Sequence, residues 1–64
     1  MSLVDEYYES GEKPPREIEK KILFGVFNDL LGRKGFDNAW DDVDDEIREE
    51  IFQENLDIIK GNLL

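Results

Sequence analysis

The chain has 64 residues, 39% of them apolar, with 17 Asp+Glu against 8 Lys+Arg, a formal charge of −9, and neither Cys nor His. These figures exclude a second domain, a disulfide framework, a zinc site of Cys or His ligands and a catalytic triad built on His or Cys. The sign of the charge excludes a basic nucleic-acid footprint as the dominant surface, so no direct nucleic-acid contact is expected.

Residues 1–14 open on an acidic stretch with no long period. Leu3, Val4, Tyr7 and Tyr8 fall at helical spacing and suffice for one or two turns, with Gly11 as a stop. Pro14 and Pro15 break any helix that would run through them, because each removes an N–H and its ring crowds the preceding turn. The segment 1–14 reads as a flexible or weakly helical arm, dispensable for folding, that forms at most a short third helix. Its adjacent Tyr7 and Tyr8 would dock on a partner or cross over a second subunit.

Helix A is predicted over 15–31, with Pro15 at the first helical position, where a missing N–H costs nothing. Ile18, Ile22, Val26 and Leu30 recur four apart, and Leu23, Phe27 and Leu31 form a second row with Phe24 beyond it. At 100° per residue these rows cover an arc of roughly 220°. The polar strip is narrow: Lys21, Gly25, Asn28 and Asp29. One neighbouring helix cannot cover so wide an arc. Gly32 should end the helix and Gly35 close the turn.

The connection 32–38 is short and turn-rich, with Phe36 folding back as a plug over the core. A short loop between two helices makes antiparallel neighbours. Helix B is predicted over 42–60. Asp41, Asp42, Asp44, Asp45 and Glu46 crowd its start, where carboxylates accept the orphan N–H groups and face the positive end of the dipole. Ile47, Ile51 and Ile58 form one apolar row in line with Trp40, and Phe52, Leu56, Ile59 and Leu63 another. Asn55 falls between the rows, where a polar residue in a seam can fix register. Trp40 reads as a lid over Ile47 and Phe36, or as an interface anchor. Gly61 is the expected stop, followed by a tail whose two leucines pack.

The fold is therefore expected to be all-α: an antiparallel hairpin over 15–64, completing a four-helix bundle as a homodimer. Small domains bury too little core to be stable without help, and association is one way to supply it. The face left for a second copy would include Phe24, Leu31 and either Ile22 or Phe27, with Trp40 and Asn55 as further interface candidates; the rival is a monomer in which residues 2–9 form a third helix over the same face.

The vocabulary for chemistry is thin. An EF-hand loop started at Asp42 fails at its sixth position, Ile47, where glycine must make the turn, and at its twelfth, Gln53. Gly32-Arg33-Lys34-Gly35 lacks the Gly-Lys-Ser/Thr ending of a phosphate-binding loop. No enzyme activity, cofactor or metal is expected. No apolar stretch approaches the roughly 20 residues needed to span a bilayer. The acidic N-terminus has no signal-like apolar region, and the expected location is cytoplasmic.

The function expected is that of an acidic protein-interaction or regulatory module that self-associates through helix A. The alternative starts from 41–60, where nine acids stand against Arg48 and Lys60. Such a face could imitate the phosphate row of a nucleic acid and occupy a nucleic-acid-binding protein, although a solvated helix face is the common reason for such a run.

Overall fold

The computed structural model describes residues 2–63, and they fold into four helices: α1 (Leu3–Glu9), α2 (Ile18–Leu31), α3 (Phe36–Asp41) and α4 (Asp45–Leu63). Among the described residues there is no strand, as the periodicity predicts. The two long helices pack chiefly against each other; α1 lies against α4 and α3 against α2.

The core is aromatic. Phe52 of α4 is 0% exposed and stands at its centre. Its ring centroid lies 4.4 Å from that of Phe27, 5.2 Å from Tyr7, 5.6 Å from Trp40 and 6.3 Å from Phe24. Leu23 and Leu56 fill the rest of the α2–α4 seam. Tilted and edge-on ring pairs at these distances add to the burial of their area, because the positive edge of one ring meets the negative face of the next.

The first segment departs most from the sequence reading. It forms a helix, and Leu3, Val4 and Tyr7 are buried members of the core. The helix is pinned from both sides. The Ser2 hydroxyl accepts the Asp5 N–H at 3.1 Å, which is ordinary N-capping. The Glu49 carboxylate, from α4, accepts the Leu3 and Val4 N–H groups at 2.9 and 3.0 Å. Seven residues form a marginal helix alone, so α1 exists because α4 supplies its cap and its apolar bed. An arm dispensable for folding does not fit this placement.

The Glu49 contact makes stability depend on pH. Partial burial pushes its carboxyl up, but the Val4 and Leu3 N–H groups and the Ser2 hydroxyl outweigh that and hold it below its ordinary value of 4.5. A carboxyl lowered by folding contributes stability that is full above its unfolded-state value and is lost as pH falls through the folded one. The α1 contact should therefore weaken as pH drops below 4.5 and be unaffected by changes above neutrality. Glu49→Ala should cost about 2 kcal/mol at pH 7 and much less in acid, since bonds to a charged acceptor are worth about 1.5–3 kcal/mol. Urea titrations of both proteins at pH 7 and pH 3 measure this; an equal loss at both would show that the carboxylate's charge is not what holds α1.

Helix boundaries also move. Residues 14–17 lie outside any helix, and Glu17, itself extended, accepts the Lys21 N–H on its carbonyl at 3.1 Å, so α2 begins at Ile18 and not at Pro15. It ends where Gly32 was expected to end it. The connection holds a helix of its own. Gly35, at φ 96°, turns the chain into α3 in a conformation that favours glycine. The Asp37 carboxylate accepts the Gly35 N–H at 3.1 Å. Phe36, expected as a plug, is largely exposed, and Trp40 takes that role.

The acids expected at the head of helix B divide: Asp41 ends α3, and α4 starts at Asp45, after Asp44 has accepted the Arg48 N–H at 2.9 Å. At the far end Gly61 does not stop the helix. Asn62 donates its amide to the Ile58 carbonyl at 2.8 Å and lies inside α4. Leu63 is half exposed, contrary to the expected packing, and Leu64 lies outside the described residues.

Candidate interaction surface

α2 has two flanks, and the rest of the chain covers only one. Tyr7 packs edge-on to Phe24 at 5.4 Å and donates its hydroxyl to Asn28 at 2.9 Å. On the same flank Lys20 meets Glu6 at 2.9 Å. That hydrogen bond holds the Lys20 ammonium above its ordinary pKa, against a smaller opposing effect of burial. Phe27 and Leu23 face the α4 seam. At 100° per residue, Ile22 lies about 160° round the helix from Phe24, away from α1.

On that far side Ile18, Ile22 and Val26 are 57%, 37% and 49% exposed and form an i, i+4, i+8 ridge. Gly25 lies beside it, and a Cβ built there would meet nothing within 4 Å. Lys21 and Asp29 stand one turn either side of Gly25. Ile47 and Ile58 of α4 are likewise uncovered. Scattered exposed apolar residues are ordinary, but a row along one helix face is what an interaction surface looks like.

The structure redistributes the residues expected at the interface. Phe24, Phe27 and Trp40 are buried in the chain's own core, so they form no free face. For Phe24 the reason is α1, whose Tyr7 takes the place given to a second subunit; Phe27 and Trp40 are covered by each other and by Phe52 of α4. Leu31 is half buried against the core, and Ile22 remains on the surface. Asn55 donates its amide to the Ile51 carbonyl of its own helix at 2.7 Å, so that donor is not available to a seam partner.

Trp40 is indeed a lid, but over Phe27 and Phe52, with Ile47 and Phe36 left exposed. Arg48 holds it there. The guanidinium lies 5.6 Å from the indole centroid and donates to the Trp40 and Asp41 carbonyls at 3.2 and 3.0 Å, satisfying the C-terminal end of α3. The Tyr8 hydroxyl accepts from the Trp40 indole N–H at 3.2 Å and from Arg48 at 3.3 Å. Sequence reasoning missed this assembly, since no local spacing links Tyr8, Trp40 and Arg48.

The inward turn of Arg48 has an electrostatic effect. Glu46, Glu50, Glu54 and Asp57 follow one another at helical spacing on exposed positions of α4. Arg48, one of the two cations of 41–60, is turned toward α3 and away from these four, with Asp45 at 3.7 Å as its acidic neighbour on α4. An open cleft of about 330 Å³ between the starts of α1 and α4 is lined by Val4, Tyr8, Asp45, Arg48 and Glu49, but both Glu49 oxygens are already committed to α1. Compared with known proteins, the chain matches no family model, no curated protein and no solved structure.

Proposed function

We propose that this chain is a non-enzymatic protein-interaction module that self-associates through α2. The supporting observation is the uncovered ridge Ile18–Ile22–Val26 on a helix whose other sides are already packed. It accounts for the apolar arc being wider than α1 and α4 together need. Two copies joined across the ridge form a layered homodimer, α4–α2–α2–α4, with four long helices and both acidic α4 faces outward. This replaces the four-helix pairing through Phe24 and Phe27, since Tyr7 of α1 packs on the first and Phe52 of α4 on the second.

Sedimentation equilibrium up to about 1 mM, where association worth roughly 4 kcal/mol is still detected, is the test. Wild-type protein should show a dimer, and Ile22→Glu should be monomeric with unchanged helicity. A monomeric wild type, or an Ile22→Glu protein that still dimerises, would overturn the reading.

A second reading rests on the acidic outer face of α4, from which Arg48 is turned away. There the module would occupy a basic nucleic-acid-binding surface, and binding to such a domain would fall steeply with added salt. Salt-insensitive binding would exclude it.

A further inference from the structure

Gly25 is a residue the isolated fold does not need. It sits in the interior of α2, away from the turns, and among the described residues only Gly35 has a positive φ. A side chain there would meet open space. Glycine at such a position weakens a helix relative to alanine, because it has more backbone freedom to lose and buries nothing. What glycine does offer is close approach of another backbone. Among the described residues nothing comes within 4 Å of a Cβ built there.

The surroundings of Gly25 say what would. It lies about 160° round the helix from Phe27, at 100° per residue, and so on the outermost line of α2. The ridge of Ile18, Ile22 and Val26 runs along one side of it. Lys21 and Asp29 are four residues before and after, about 6 Å away along the axis at 1.5 Å per residue. Asp29 is exposed, and among the described residues its two oxygens accept from the Arg33 guanidinium at 3.2 and 3.3 Å, a solvated i, i+4 pair that a second cation can share or replace. Lys21 is exposed and makes no ion pair among the described residues.

This pattern is self-complementary in one direction only. In a parallel pair Lys21 would meet Lys21 and Asp29 would meet Asp29. Reversing the second helix about a two-fold axis through Gly25 sets each Lys21 level with the partner's Asp29, twice. An isologous two-fold contact requires that kind of match. Reversal also opposes the two helix dipoles.

Resting on the self-association proposed above, we infer that α2 pairs with α2 of a second copy in antiparallel, crossing at Gly25, with Lys21 of each copy set against the partner's Asp29. The absence of a side chain at the crossing lets the backbones close until the flanking isoleucines interdigitate. A Cβ at the crossing holds them apart.

The chain has no cysteine, which makes cross-linking clean. Gly25→Cys places two thiols at the two-fold axis, and disulfides form where Cα atoms come within about 4.4–6.8 Å. Under mild oxidation it should give covalent dimer roughly tenfold faster than Gly61→Cys, a second open position, because its thiols are held at high effective concentration. Gly25→Ala should melt no lower than wild type as a monomer yet dimerise more weakly. Lys21→Glu and Asp29→Lys should each weaken the dimer roughly fivefold, from two lost ion pairs, and the double exchange should restore it to within about twofold.

A wild type monomeric in sedimentation would remove the self-association reading and this inference with it. A dimeric wild type with no preference for Gly25→Cys over Gly61→Cys, or no restoration by the double exchange, would overturn the crossing and leave self-association standing.

Discussion

Phe52→Ala is expected to leave the protein largely unfolded at 25 °C. The side chain is 0% exposed and its ring is shared by all four helices, through Tyr7, Phe27, Phe24 and Trp40. Truncating a buried phenylalanine costs about 3–5 kcal/mol, from lost transfer energy and from the cavity left behind. A domain of this size has a total stability of only about 3–10 kcal/mol at 0.05–0.15 kcal/mol per residue. Four rings meeting at one site cannot all relax into the space, so the upper part of the range applies. Circular dichroism and a urea titration measure it. A loss under about 1.5 kcal/mol, the usual cost of a tolerated core swap, would show that the rings close over the gap and that the core is less tightly organised than its geometry indicates.

Deleting residues 1–12 should do at least as much. It removes Leu3, Val4 and Tyr7, three buried side chains worth about 1.5–3 kcal/mol each. It also bares Phe24 and one side of Phe52, leaves Glu49 without the two N–H groups it accepts, and leaves Lys20 without Glu6. Any remaining folded population should sample the open flank of α2 and aggregate, since a free apolar patch of aromatic rings seeks cover. Melting of the truncated chain beside the full one is the measurement. A loss below about 2 kcal/mol would return α1 to the status of an accessory arm.

The helices that could be read in advance were those with a long period. α2 and α4 carry apolar rows through three and five turns, and the summed pattern outweighs any local ambiguity. Their ends were less legible because the strongest local signals misled. Pro15 is a good first helical residue, yet the chain bends at 16–17 and Glu17 is extended before α2 starts. Gly61 looked like a stop, but the turns before it are well bonded and the helix continues.

The short helices were legible only in part. α1 has the spacing but not the length, and what decides it is Glu49, 46 positions from Leu3 in the chain. No local rule connects the two. α3 had a signal in Gly35 followed by Phe36 and Trp40 four apart, overridden by its brevity. The same blindness to long-range contacts misplaces part of the surface: with 1–14 read as an arm, Phe24 reads as free, whereas of the ridge one flank away only Ile22 reads as interface.

The capping of α1 by α4 also sets the order in which the molecule can assemble. Of these four helices α1 is made first and waits longest for its partner. Glu49 follows Leu3 by 46 residues, so at synthesis rates of about 5–20 residues per second several seconds pass before the N-terminal helix can close. Until then Phe24 and Phe27 have neither Phe52 nor a bedded Tyr7 to pack on, and no earlier unit of the chain has a core of its own. Packing of α1, α2 and α3 is thereby deferred to the emergence of α4, whose Phe52 closes the core against all three at once.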